Sequence, residues 1–267
     1  MTTVAEMLER SGLPALEAGV LLAHALGVDR AWLVAHVEAV LGVGKREKIE
    51  ALYRRRQEGE PVAYLTGERE FYGLALSVSP AVLIPRPETE LLVEVALEHL
   101  RAGQSALDLG TGSGAVAIAL AKTRPGVSVA GADKSQAALE LARANGRRHA
   151  VQVRFERSDW FSAFEGERFD VIVSNPPYIA SADPHLGAGD LRFEPRGALE
   201  AGPTGLECIE RIAAAAPQFL APGGWLILEH GYDQGAACVA LLRDLGYLRV
   251  CDRIDLAGVS RVVSGRL

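Results

Sequence analysis

The sequence predicts an α/β protein with a mostly parallel, Rossmann-like sheet, preceded by a small helical bundle and a linking hairpin. From Ser105 onward, short apolar runs alternate with segments of helical periodicity, the pattern of a parallel sheet covered by helices on both faces. A glycine-rich turn, Gly110-Thr111-Gly112-Ser113-Gly114, closes the first of those runs. A second motif, Asn175-Pro176-Pro177-Tyr178, follows a later run directly. Ligands of such sheets bind at the carboxyl ends of the strands, where both motifs fall.

Taken in order, the chain divides into residues 1–60, 61–84 and 85–267. Between Val4 and Arg56, apolar residues recur at helical spacing, as in Leu33, Val37, Val40 and Leu41, with breaks at Ser11-Gly12-Leu13-Pro14 and at Gly27, Gly42 and Gly44. Lys45, Arg46, Lys48, Arg54, Arg55 and Arg56 make the last helix basic, which suits a solvated face, or contact with RNA or an acidic protein face. Residues 61–84 shift from a period of 3.6 towards 2 and read as a hairpin. After Pro85-Arg86-Pro87 a helix begins, with Glu88 and Glu90 near its positive end, and runs to about Leu100.

The remaining expectations are strands at Ala106–Leu109, Val127–Ala132, Val151–Phe155 and Phe169–Val173, with helices opening at Gly114 and Ser135. Beyond them come a helix over Leu206–Leu220, a strand at Trp225–Leu228 and a helix over Gln234–Leu245. Two strands, Arg249–Ile254 and Arg261–Ser264, close the chain.

Glycine lets backbone approach a ligand where no Cβ intervenes, so a nucleotide-like cofactor is the natural occupant of the Gly110–Gly114 turn. The spacing of Gly110, Gly112 and Ala115 also satisfies the looser dinucleotide fingerprint. Asp133 stands 23 residues beyond Gly110, where an acid binds ribose in either case. The turn alone does not separate NAD from S-adenosylmethionine. Asp108 favours the latter, because its negative charge opposes a pyrophosphate and suits a sulfonium.

Asn175-Pro176-Pro177-Tyr178 points to chemistry on a planar NH2 group. The lone pair of an amide or exocyclic amine is delocalised, so a site that methylates it must hold both hydrogens while the nitrogen pyramidalises. That task needs acceptors. The Asn175 side-chain oxygen supplies one and the Pro176 carbonyl a second. The two prolines offer no N–H and stiffen the backbone, and Tyr178 can stack on the planar group. A sulfonium brings its own leaving group, so rate rests on alignment and no general base is obligatory.

Composition narrows the class. The chain has 267 residues, 49% hydrophobic and 23% charged, enough for a sizeable core. A net charge of −6 argues against a protein that grips nucleic acid over its whole surface. Three cysteines far apart suggest neither a disulfide framework nor a zinc site, and no metal is expected. No apolar run approaches the ~20 residues of a membrane span, so a soluble cytoplasmic protein is expected, with no membrane partner.

These residues resemble the bacterial release factor glutamine methyltransferases. The resemblance covers Pro61–Gly67, Leu83-Ile84-Pro85-Arg86-Pro87-Glu88-Thr89-Glu90, the glycine turn, Ser174–Ile179, Glu194–Leu199 and Ser260–Arg266. It implies a class I methyltransferase domain with a seven-stranded sheet, an N-terminal domain that docks the release factor, and transfer to the glutamine of its Gly-Gly-Gln loop. It also implies that Gly110, Thr111, Gly112, Ser113 and Gly114 hold the methionine part of S-adenosylmethionine, Asp133 its ribose and Trp160 its adenine. Asn175 would touch cofactor and acceptor alike, and Pro176, Pro177 and Tyr178 would hold the glutamine amide; S-adenosylhomocysteine would be the product. A ribosomal-protein glutamine methyltransferase and, further off, a DNA adenine-N6 methyltransferase are the alternatives. The latter should carry a target-recognition domain and a basic face, which this sequence lacks.

Overall fold

The computed structural model describes residues 2–267. The chain forms two compact units, one of residues up to Glu68 together with Gly189–Phe193, the other of Arg69–Ala188 and Glu194–Leu267.

In the first unit, strand β1 (Thr2–Thr3) leads into helix α1 (Val4–Glu9), followed by α2 (Ala15–Leu26) and α3 (Arg30–Ala35). Strand β2 (Val40–Leu41), α4 (Val43–Gln57) and α5 (Val62–Thr66) complete it. Local signals set the helix starts. Thr3 and Glu6 form a reciprocal capping box, and Asp29 accepts from the Trp32 N–H at 2.7 Å. Val4, Leu21, Leu22 and Ile49, none with any exposure, make the core.

Two features differ from the sequence reading. β1 and β2 pair antiparallel, and residues 62–66 are helical rather than part of a hairpin. Pro61 stands just before the first turn of α5, and Gly67, left-handed at φ 74°, ends it, so start and stop signals outweigh the weak alternation there. The basic run of α4 is partly neutralised within the unit. Arg56 binds Glu17 at 2.6 Å and Asp190 at 3.0 Å, and Arg55 pairs with Glu60, while Lys45, Lys48 and Arg54 are exposed.

Strand β3 (Glu68–Phe71), whose first residue is counted with the first unit, and β4 (Leu74–Ser77) form a hairpin turned by Tyr72 and Gly73 at φ 52° and 73°. A 3-10 turn at Pro87–Thr89 runs into α6 (Glu90–His99). Then β5 (Ser105–Leu109), α7 (Ala115–Thr123), β6 (Ser128–Asp133), α8 (Gln136–Arg148) and β7 (Val153–Arg157) alternate as expected. β8 (Phe169–Ser174) is followed by the short β9 (Ile179–Ala180) and β10 (Glu200–Gly202). The unit ends with α9 (Glu207–Ala215), β11 (Leu220–Glu229), α10 (Gly235–Asp244), β12 (Leu248–Ile254) and β13 (Ser260–Arg266).

The main sheet has seven strands in the order β12-β13-β11-β8-β5-β6-β7, and only β13 runs against its neighbours. Its strands alternate with period 2 between two buried faces. Val171, Val173 and Ile227 pack with α6 and α7; Ile172, Leu226 and Leu228 pack with α9 and α10. The chain leaves β5 for β6 on one side and later places β8 on the other, so the sheet's switch point lies between β5 and β8.

Candidate active site at the switch point

The carboxyl ends of β5, β6 and β8 are in register, with Leu109 opposite both Ala132 and Ser174. The segments that follow them therefore emerge side by side. Two bonds tie these ends together: Ser174 Oγ donates to the Leu109 carbonyl at 2.7 Å, and the Thr111 N–H donates to the Ala132 carbonyl at 2.8 Å.

Between β5 and α7 the chain turns on Gly110, Gly112 and Gly114, at φ 71°, 54° and 83°, a region open to glycine and strained for other residues. Asp133, the last residue of β6, spans this turn and the start of α8. Its Oδ2 accepts from the Gly112 N–H at 3.0 Å and its Oδ1 from the Ser135 N–H at 2.8 Å, leaving lone pairs on both oxygens. The Trp160 indole covers the turn, with Cζ3 3.8 Å from where a Cβ on Gly110 would stand. Its own backbone is left-handed, at φ 53°. Gly110, Gly112, Asp133, Trp160, Asn175 and Pro177 line one cavity of about 300 Å³, at the lower end of ligand-sized pockets.

Thr111, Ser113 and Gly114 do not line that cavity. Thr111 donates its hydroxyl to Asp108 at 2.6 Å, the Ser113 carbonyl accepts from Asn145 at 2.9 Å, and a Cβ on Gly114 would stand 2.9 Å from Ile118 Cδ1. These residues shape the turn from behind. Asp108, contrary to the sequence reading, brings no charge to the cavity either. Its carboxyl is buried, accepts from Thr111 and from the Ala117 N–H, and faces the protein rather than the cavity. Burial pushes its pKa up to about 7.

After β8, Asn175 to Tyr178 are fixed from several sides. Asn175 Nδ2 donates to Thr89 Oγ1 at 3.0 Å, and the Tyr178 carbonyl accepts from Gln234 at 3.0 Å. The next residue, Ile179, donates to the Leu199 carbonyl and enters the parallel pair β9-β10. Pro176 is buried. The Tyr178 hydroxyl donates a long bond, 3.4 Å, to Glu229 Oε1. Glu229, at the end of β11, is fully buried, its second oxygen has no hydrogen-bond partner, and its pKa is pushed up to about 7 by burial. The tyrosine's own pKa is raised by the same burial.

Sequence reasoning missed Thr89 and Glu229, which stand behind the tetrapeptide, and Lys134, Asp159, Cys208 and Arg211, which line the cavity. Arg211 and Asp159 pair at 2.8 Å. Position after a strand marks Lys134 and Asp159, but nothing local marks the others.

The residues present fit a nucleoside carrying an amino acid: a turn without side chains, a carboxylate with lone pairs to spare and a flat aromatic surface share one cavity. Family models point the same way. One described as "Methyltransferase small domain" matches residues 87–190, and one described as "PrmC N-terminal domain" matches residues 1–67. Among solved structures, a chain of the E. cuniculi Mtq2–Trm112 complex, described as responsible for methylation of the eRF1 translation termination factor, is 25% identical. It has a TM-score of 0.51 and covers 70% of this chain and 98% of its own. The T. thermophilus 16S rRNA N2 G1207 methyltransferase, solved with AdoMet and guanosine, shares the fold at a TM-score of 0.57 and 22% identity, covering 74% of this chain and 49% of its own. The release factor glutamine methyltransferase of Burkholderia pseudomallei is 52% identical over 99% of this chain and 96% of its own length. With 52% identity running over 99% of the chain and both family models in agreement, the chain belongs to the release factor glutamine methyltransferase family.

Proposed function

We propose that the chain moves a methyl group from S-adenosylmethionine to the side-chain amide nitrogen of the glutamine in a release factor's Gly-Gly-Gln motif. The observation that carries this reading is the Asn175 side chain. It lines the cavity beside the glycine turn and has its NH2 end already engaged by Thr89, which leaves the carbonyl end for an acceptor amide. When bound, S-adenosylmethionine supplies an electrophilic methyl and its own leaving group.

The chain's residues bind and orient. Asp133 accepts from ribose hydroxyls, the Trp160 indole packs on the adenine, and the Gly110–Gly114 backbone accommodates the methionine portion, with Thr111, Ser113 and Gly114 keeping its shape. Asn175 Oδ1 and the Pro176 carbonyl accept the two amide hydrogens, so the nitrogen lone pair is turned towards the methyl. Pro177 and Tyr178 bound the space in which the amide lies. The N-terminal unit is the docking element of this reading, and the cytoplasm its setting. No helix among the described residues is long and apolar enough to cross a membrane.

The test is transfer of labelled methyl to a purified release factor and to a copy whose Gly-Gly-Gln glutamine is replaced. Label on the first alone is the expected result. Label on neither, with transfer instead to a ribosomal protein or to DNA, would overturn the choice of acceptor.

A further inference from the structure

Asn175-Pro176-Pro177-Tyr178 offers the fold few handles. Neither proline has an N–H and the ring of each fixes φ, so the course of the segment is set by where its two ends are tied. The entry is tied through β8: Ser174 stands opposite Leu109 of β5 and Leu228 of β11, and the Asn175 side chain reaches Thr89 Oγ1 at 3.0 Å. The exit is tied at one peptide unit. There the Ile179 N–H donates to the Leu199 carbonyl at 3.0 Å, and the Tyr178 carbonyl accepts from Gln234 Nε2 at 3.0 Å.

Gln234 does not line the cavity; it caps the start of α10. Its side-chain amide meets backbone groups of three separate segments. Nε2 donates to the Tyr178 carbonyl and, at 3.3 Å, to the Gly205 carbonyl, while Oε1 accepts from the Gly231 N–H at 2.8 Å. A carbonyl only accepts and an amide N–H only donates, so these partners fix which way the glutamine amide points, and turning it over would lose every one of the bonds. The backbone N–H of Gln234 donates to the Gly231 carbonyl at 3.0 Å, which closes the turn that carries the side chain. Two glycines leave the space. A Cβ at Gly205 would stand 2.6 Å from the Tyr178 oxygen and 2.9 Å from Gln234 Nε2, and one at Gly231 would stand 3.0 Å from Gln234 Oε1.

We propose that Gln234 is a positioning residue for methyl transfer, holding the exit of the tetrapeptide and through it the Pro176 carbonyl that takes one hydrogen of the acceptor amide. The peptide planes are rigid and both proline φ angles are fixed, so with the two ends tied few torsions are left to move that carbonyl. With Tyr178 released, the chain turns about the ψ angles of the prolines, and the Pro176 oxygen leaves the place the amide requires. The partners of Gln234 lie apart from Gly110, Gly112, Asp133 and Trp160, the residues assigned to the cofactor, so cofactor binding does not depend on this tie.

This inference rests on the glutamine-amide reading of the site, and its test has one arm that needs no substrate. Tyr178-Ile179 is the only Tyr-Ile pair in the sequence, so protein carrying 13C-carbonyl tyrosine and 15N-isoleucine shows a single doubly labelled peptide unit, the one held by Gln234. Gln234→Leu removes the donor at similar length. Gln234→Glu keeps an acceptor for Gly231 but turns a second acceptor on Tyr178, at a helix start that otherwise favours a carboxylate. Both variants move the Tyr178–Ile179 resonance. In the transfer assay both lower kcat about tenfold to a hundredfold, the scale of a small misplacement at the reacting centre. Calorimetric affinity for S-adenosylmethionine stays at the wild-type value, which a general loss of structure would not allow. An unmoved resonance, an undiminished kcat, or a cofactor affinity that falls in step with kcat overturns the inference while leaving the proposed function intact. Wild-type protein that labels no glutamine overturns both.

Discussion

Replacing Glu229 by glutamine gives a stability change whose pH dependence follows from burial. The unfolded glutamate ionises near 4.5, whereas the folded one is pushed up to about 7 by desolvation, with no exposed surface to screen it. Between those values the folded protein holds a proton that the unfolded chain has lost. The folded state therefore binds more protons, and the sign of the linkage is that stability falls as pH rises through this window. At about 1.36 kcal/mol per pKa unit, the interval from 4.5 to about 7 corresponds to roughly 3 kcal/mol, complete below pH 4.5 and lost by about pH 8. Glu229→Gln removes this titration. Its amide cannot satisfy the NH2 end in the space around Oε2, so the variant carries a roughly constant penalty of about 1–3 kcal/mol. Urea unfolding of both proteins, followed by tryptophan fluorescence from pH 5 to pH 8, reads the difference. The variant is expected to be the weaker at pH 5 and to gain on the wild type by about 2–3 kcal/mol at pH 8. Two curves that stay parallel across this range would show that Glu229 is not held in its neutral form, and would refute the burial argument.

Other outcomes follow from the same geometry. Asn175→Ala should lower kcat by about a hundredfold or more, as removal of a preorganised polar partner does, while calorimetry finds S-adenosylmethionine binding largely intact. Asp133→Ala should weaken cofactor binding first, by roughly tenfold to a hundredfold from the lost charge-assisted bonds, with further loosening because the Gly112 and Ser135 N–H groups lose their acceptor. Gly114→Ala combines a φ of 83° with a Cβ 2.9 Å from Ile118 Cδ1 and 3.1 Å from Ala142 Cβ, so thermal unfolding should report a loss of about 2 kcal/mol or more.

The alternation of strand and helix was legible because each element obeys its own period. Departures occur where a tertiary bond takes over. The third strand of the main sheet was expected at Val151–Phe155 and runs over Val153–Arg157, because the Val151 N–H closes the end of α8 on the Gly146 carbonyl and so leaves the ladder. The helix at 62–66 has its signals in plain view, Pro61 before it and Gly67 after it, and they outweigh the aromatic and aliphatic alternation around them. The pairing of Thr2–Thr3 with Val40–Leu41 is too short to leave a periodic trace. Asp108 shows the limit most sharply. Its place next to the glycine turn is readable, whereas the direction of its side chain, into the protein, depends on Thr111 and Ala117 folding back over it.

The candidate site shows the same division between what chain order carries and what only folding assembles. Asn175 and the glycine turn are recognisable because each follows a strand, and the sheet brings strand ends together by construction. Their support comes from Arg86-Pro87-Glu88-Thr89-Glu90, which carries no chemistry of its own that a sequence reading could name. In the structure that short segment reaches three other parts of the unit: Arg86 pairs with buried Glu194, Thr89 accepts from Asn175, and Glu90 accepts from the Tyr72 N–H at 2.9 Å. A lysine at 86 would lose the forked geometry of the guanidinium, and a valine at 89 would lose the hydroxyl. Thr89 gives the Asn175 side-chain amide a hydrogen-bond partner at 3.0 Å, so the segment serves the site by support and needs no reactive group of its own.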